Sequence, residues 1–168
     1  MHMLTRLGTS AAAVAVLISP AATLEIAAAA AQGGTTVVLD SDQRRCDFSR
    51  VAEAAWIPRP LEGTGSALIS ISGSRAVAQV HVAIPNEPGT HYDVGLIEEP
   101  RPSSATCGPG APGTAFTGMD TDGAGNATVT VQDSIGQGTT GVWVIVERAN
   151  PNSQNPAEYY TSEFLVPV

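Results

Sequence analysis

From residue 35 onward the chain is written as short stretches of alternating apolar and polar residues, cut apart by Gly, Pro, Asn and Ser. Side chains that alternate with period two share a face only on a strand, and a strand with one apolar face must find cover for it. Thr35 to Asp40 is rich in β-branched residues. Ala67 to Ser72 alternates, and Arg75 to Ile84 sets Val80, Val82 and Ile84 against Gln79 and His81 on its other face. Tyr92, Val94 and Leu96 alternate with His91, Asp93 and Gly95, and Ala127, Val129 and Val131 alternate with Thr128, Thr130 and Gln132. Both patterns read as half-buried antiparallel strands. Val142 to Val146 is different. With Trp143 and Ile145 behind Val142, Val144 and Val146, it is apolar on both faces and belongs in the middle of a sheet with cover on each side. A last run spans Tyr159 to Val166. Ser49 to Trp56 is the one helix-compatible stretch, and the segments Pro85 to Gly89 and Pro100 to Pro112 read as loops of defined shape.

Seven or eight such runs in a chain of this size predict an all-β domain. An antiparallel two-sheet β-sandwich is the expected architecture, because each sheet then covers the other's apolar face, and a barrel is the main alternative.

The first 31 residues follow another logic. Arg6 is the only formal charge in Met1 to Leu7, Ala11 to Ile18 is an apolar run, and Ala27 to Ala31 supplies small side chains. That order is the order of a secretory signal peptide. A cut after Ala31 leaves residues 32–168 as the exported domain, and an earlier cut near Ala22 is the alternative. Pro20 and Glu25 interrupt the apolar stretch before it reaches the roughly 20 residues a membrane span needs. The expectation is a secreted, extracytoplasmic protein with no membrane span once the signal is removed.

Two properties narrow the partners. Sixteen acidic residues stand against eight basic ones, all arginine, for a formal net charge of -8. Phosphate binding needs a clustered cationic surface, so a nucleic-acid partner is excluded from the expectations. The two cysteines, Cys46 and Cys107, both lie in the exported part. In an oxidising compartment such a pair is expected to form a disulfide, contributing roughly 4 kcal/mol through the chain entropy of the closed loop. Neither has the short C-x-x-C spacing of a metal site.

Asp120 and Asp122, in the stretch Asp120 to Asn126, have the look of a calcium loop, but Ala124 and Val131 occupy positions where an EF-hand needs oxygen ligands. A hairpin turn in which aspartate bonds its own backbone fits better. His81 and His91, with Asp93, would suit a two-histidine, one-carboxylate metal set if their strands were hairpin neighbours. Polar-out alternation also accounts for them. A copper-zinc superoxide dismutase needs more histidines than the chain has. No G-x-S-x-G elbow is present, and Trp56, Trp143, Tyr159 and Tyr160 fit core positions better than a sugar platform.

The turn and strand Thr121 to Val131, taken with Tyr92 to Leu96, Cys107-Gly108, Gly141 to Val144 and Glu158 to Ser162, resemble bacterial immunoglobulin-like domains in a group of small exported actinobacterial proteins of unassigned function. The resemblance implies an immunoglobulin-like β-sandwich and carries over no catalytic residue, ligand-binding residue or cofactor. The function expected is a non-catalytic binding or structural module outside the cell, its partner an envelope component or protein. The alternative is a secreted hydrolase or metal-dependent enzyme using His81 or His91.

Overall fold

The computed structural model describes residues 33–51, 63–153 and 155–168. Nine strands follow in chain order: β1 Thr35–Asp40, β2 Thr64–Ser72, β3 Arg75–Ala83, β4 His91–Glu99, β5 Thr114–Asp120, β6 Asn126–Ser134, β7 Gly141–Arg148, β8 Glu158–Ser162 and β9 Val166–Pro167. The described residues contain no helix. Most of the stretch from Ser49 to Trp56, and the whole of the signal segment, lie outside them. No helix among the described residues is long and apolar enough to cross a membrane.

The strands form one antiparallel sheet in the order β5-β4-β7-β8-β1-β2-β3-β6, with β9 added to the end of β7. This corrects the expectation of an immunoglobulin-like two-sheet sandwich. A sandwich would break the ladder between its halves; here β8 pairs with β1 through Leu39 with Ser162 and Asp40 with Thr161, and the sheet rolls about 312° around one axis into a nearly closed barrel. The resemblance to immunoglobulin-like exported domains falls with the sandwich. β5 and β6, the two ends of this order, are joined by the turn at 121–125 and share no ladder. Placing β6 beside β3 and β7 beside β4 makes the chain path a Greek key.

Alternation explains both the success and the error. Val37, Leu39, Ala67, Ile69, Ala78, Val80, Val82, Tyr92, Val94, Leu96, Val142, Val144 and Val146 all point inward and form one core. Period two tells which residues face inward, but a second sheet and the far wall of the same rolled sheet cover them equally well. The last predicted run is broken: β8 ends at Ser162, Glu163 N–H donates to Val38 O at 3.0 Å, and β9 begins at Val166. β5 carries no clear alternation in Thr114-Ala115-Phe116-Thr117-Gly118-Met119-Asp120 and was not expected from the sequence.

One end of the barrel is closed by a buried polar knot. Tyr92 donates its hydroxyl to Glu158 Oε2 at 2.7 Å, and Tyr160 donates to Glu158 Oε1. Burial, then the Glu158 carboxyl, pushes both phenols well above the ordinary tyrosine value. Arg148 pairs with Glu87 at 3.2 Å and reaches Glu158 at 3.4 Å. The turn after β5 has the aspartate-to-backbone bonding read from sequence, Asp122 Oδ1 accepting the amides of Ala124 and Asn126 at 2.8 and 2.9 Å, but β5 and β6 do not pair, so it is no hairpin. Gly125 sits at φ +80°, where a Cβ would also run into the Ile84 carbonyl.

Candidate functional site

The outer surface of the barrel is built in two ways. On β1, β2, β3 and β6 the outward residues include Ser66, Leu68, Gln79, His81, Thr128 and Thr130, a solvated strand surface. On β4, β5 and β7 the outward residues are apolar at the centre. Gly95 lies between Phe116 and Ile145, and Ile97 between Thr114 and Trp143. Trp143 and Ile97 are fully buried although they point away from the barrel core.

Two loops supply the cover. Cys46 and Cys107 are joined with an S–S distance of 2.05 Å, tying the loop after β1 to the loop between β4 and β5. Phe48 seats its ring 5.5 Å from that of Trp143, and the Arg44 guanidinium lies 3.8 Å over the Phe48 ring. Arg44 also donates to Phe48 O at 3.1 Å and Glu163 O at 3.0 Å, clamping the first loop down. Phe48 holds φ +62°, a backbone region non-glycine residues visit only when surrounding contacts impose it. The second loop is held by Arg101, which donates to Gly113 O, Thr106 O and Pro112 O. Below, Trp143 Nε1 donates to Glu99 Oε1 at 3.0 Å, while Glu99 Oε2 accepts the Arg101 amide. Burial raises Glu99 above the ordinary carboxyl value, and these two hydrogen bonds oppose the rise.

Between the tied loops and the barrel wall lies a cleft of about 480 Å³. Its walls are Cys46, Ile97, Ala105, Thr106, Cys107, Gly108, Phe116, Ile145 and Glu147. Its size falls within the range of about 300–1,000 Å³ typical of small-molecule sites, and its lining is mainly apolar, with Thr106 and the Glu147 carboxyl as the polar side chains. Phe116 is able to lie flat because Gly95 has no side chain; a Cβ there would come within 2.5 Å of the phenyl ring and 2.9 Å of Ile145. Glu147 stands at the rim, opposite Asp93 on β4. Burial and then Asp93 raise Glu147 above the ordinary carboxyl value, and no hydrogen bond or salt bridge joins it to another described residue.

A second hollow is chemically committed. Lying beside Glu98 and Glu99, about 430 Å³, it has its acids engaged: Glu98 Oε2 accepts Gly136 N–H at 3.0 Å and the Thr139 hydroxyl at 2.6 Å. The cleft under the bridge keeps its one carboxyl unspent.

Of the residues singled out from sequence, the structure brings together His91, Asp93 and Asp120 and leaves His81 and Asp122 apart. His91 Nδ1 lies 2.8 Å from Asp120 Oδ1, and Nε2 lies 3.7 Å from Asp93. The Asp120 hydrogen bond raises His91 above the ordinary histidine value. His81, on β3, instead bonds Thr128 Oγ1 at 3.0 Å. β3 and β4 share no ladder, so His81 and His91 are not hairpin neighbours. Asp120 and Asp122 part company, one to His91 and the other to its own turn. Among the described residues no group of three or more His, Cys, Asp or Glu side chains is placed to hold a metal ion. This withdraws the metal-enzyme reading of His81 and His91, and the barrel withdraws the pairing of a sandwich with an envelope module. Trp143 and Tyr160 face opposite sides of the wall, so they make no joint platform; Trp56 lies outside the described residues.

No protein-family model, curated protein or solved structure matches the chain. The functional reading rests on the site itself.

Sequence reasoning missed the cleft. Phe116 lies on the unforeseen strand, Ile97 and Glu147 fall just past the runs read as strands, and Ile145 was read as part of a second apolar face without what covers it. One signal was present: Gly95 in mid-strand, where a glycine often marks a close approach.

Proposed function

We propose that this domain is a small-molecule-binding barrel whose site is the apolar cleft between the outer wall of β4, β5 and β7 and the disulfide-tied loops. The observation that carries the reading is the cleft's construction. An apolar floor on the outside of a barrel is ordinarily covered completely, whereas here the loops close over Trp143 and stop short of Phe116 and Ile145, leaving about 480 Å³. Both loops are pinned by a covalent bridge and by arginine side chains, so the hollow is held open before any ligand arrives. The disulfide and the signal-like first 31 residues support an extracytoplasmic setting, where a bridge of this kind persists.

A neutral apolar dye, Nile red, tests the reading on the purified, disulfide-bonded protein. Saturable 1:1 binding is expected, abolished by Ala105→Trp, which fills the cleft while leaving the barrel's melting temperature in place. Absence of binding, or equal binding by the filled variant, would overturn it.

A further inference from the structure

Glu147, in the wall of the cleft, lies directly opposite Asp93 across the β4–β7 ladder. Like charges directly opposite on neighbouring strands destabilise a sheet, and this pair is not relieved as the other acids here are. Glu158 is held by two phenols and Arg148, Glu87 by Arg148, and Asp42 by Arg50. Asp93 has only the long 3.7 Å approach of His91, and that imidazole is committed at its other nitrogen to Asp120. Glu147 has no hydrogen-bond or ion-pair partner among the described residues, and no positive group offsets what Asp93 does to it.

The same carboxyl borders two hollows of opposite character. On one side is the apolar cleft; on the other is a hollow of about 200 Å³ lined by Ala149, Asn150, Ser153, Asn155 and Pro156. A ligand lying on Phe116 and Ile145 would therefore bring its polar end to the Glu147 carboxyl, opposite Asp93, whose nearest basic group is His91 Nε2 at 3.7 Å, and beside a polar recess.

We infer that the ligand class of this cleft is an amphipathic amine: an aromatic or aliphatic body on Phe116, Ile145 and Ile97, with a protonated nitrogen between Glu147 and Asp93. The inference rests on the cleft being a binding site and adds the charge of its occupant. An ammonium relieves the like-charge pair and gains a charge-assisted hydrogen bond to a partly desolvated carboxylate, whereas a carboxylate ligand adds a third negative charge. Anionic ligands such as fatty acids are thereby disfavoured.

Three probes sharing one ring system separate the two claims: 1-naphthylmethanol, 1-naphthylmethylamine and 1-naphthoate, titrated calorimetrically into the purified, disulfide-bonded protein at pH 7.5. The alcohol reports the cleft alone. The amine is expected to bind about tenfold or more tighter than the alcohol, the margin of one charge-assisted contact, with the naphthoate weakest. Glu147→Gln should cut the amine's advantage over the alcohol, both measured on the same variant, to about threefold or less, and Asp93→Asn should cut it to a smaller degree. Added salt should narrow the gap between the amine and the alcohol. If the alcohol binds and the amine binds no better, or if its advantage survives Glu147→Gln, this inference fails and the cleft reading stands. If none of the three binds, the cleft reading itself fails.

Discussion

The two halves of the barrel wall obey the same period-two rule and end up with different surfaces. On β1, β2, β3 and β6 the inward residues build the core and the outward residues meet water; Val38 and Leu68, 52% and 42% exposed, are isolated apolar residues of a kind any surface carries. On β4, β5 and β7 the outward residues are a second apolar layer, with Trp143 at 0% exposure. The difference comes from the loops. The loops after β1 and after β4, which carry Cys46 and Cys107, lie over the second half and leave the first half's outer face to water. A strand covered on both faces needs apolar residues on both, and where the cover falls short it leaves a cleft.

Single substitutions should separate the halves in stability. Trp143→Ala has the largest expected effect, about 3–5 kcal/mol from the lost burial, with the Glu99 carboxyl left without its indole donor. Leu68→Ala, outward on the other half, should cost less than about 1 kcal/mol. Denaturant unfolding of both variants measures the contrast, and equal losses would erase it.

Removing the bridge with Cys46→Ser and Cys107→Ser should cost roughly 4 kcal/mol, given a sequence separation of 61 residues. It should also loosen one half only. Hydrogen exchange in the double variant is expected to rise at Phe48, Thr106 and Trp143 and to stay unchanged at Val80 and Val129.

Gly95→Ala is a finer probe. The added methyl meets Phe116 and Ile145, so overpacking of about 1–3 kcal/mol is expected, together with a displaced phenyl ring and a changed cleft. Calorimetric melting reads the first effect and naphthylmethanol binding the second.

The smallest effect is electrostatic. The Asp120 hydrogen bond raises His91 in the folded protein above the unfolded value of about 6.5. Its stabilisation is therefore complete below about pH 6.5 and is lost as pH rises through the folded-state value. His91 is 59% exposed, which keeps the effect small. Asp120→Asn should lower the His91 midpoint in an NMR titration, and an unmoved midpoint would assign the shift elsewhere.

Much of the barrel was legible because its information is local. The runs around Val37, Val80, Val94, Val129 and Val144 announced strands, Asp122 announced a turn bonded to its own backbone though its flanking strands do not pair, and the double-faced run at Val142 to Val146 announced the strand that lies between β4 and β8. Closure was not legible, since the two register pairs that stitch β8 to β1 join residues about 120 positions apart and leave no periodic trace. The cleft was hidden for a related reason. It needs Phe116, Ile145 and Glu147 brought side by side from three strands, under loops whose position depends on a bridge between distant cysteines. Histidines drew attention by type, yet pairing order put His81 and His91 on strands without a common ladder.

The central claim is that the covered half of the wall carries the site. Backbone amide NMR of the labelled, disulfide-bonded protein, titrated with naphthylmethanol, tests it most directly. The account predicts saturable shifts at Gly95, Ile97, Cys107, Phe116 and Ile145, with Ser70, Gln79 and Thr130 unmoved. Shifts centred on β2, β3 and β6, or none at all, would contradict it.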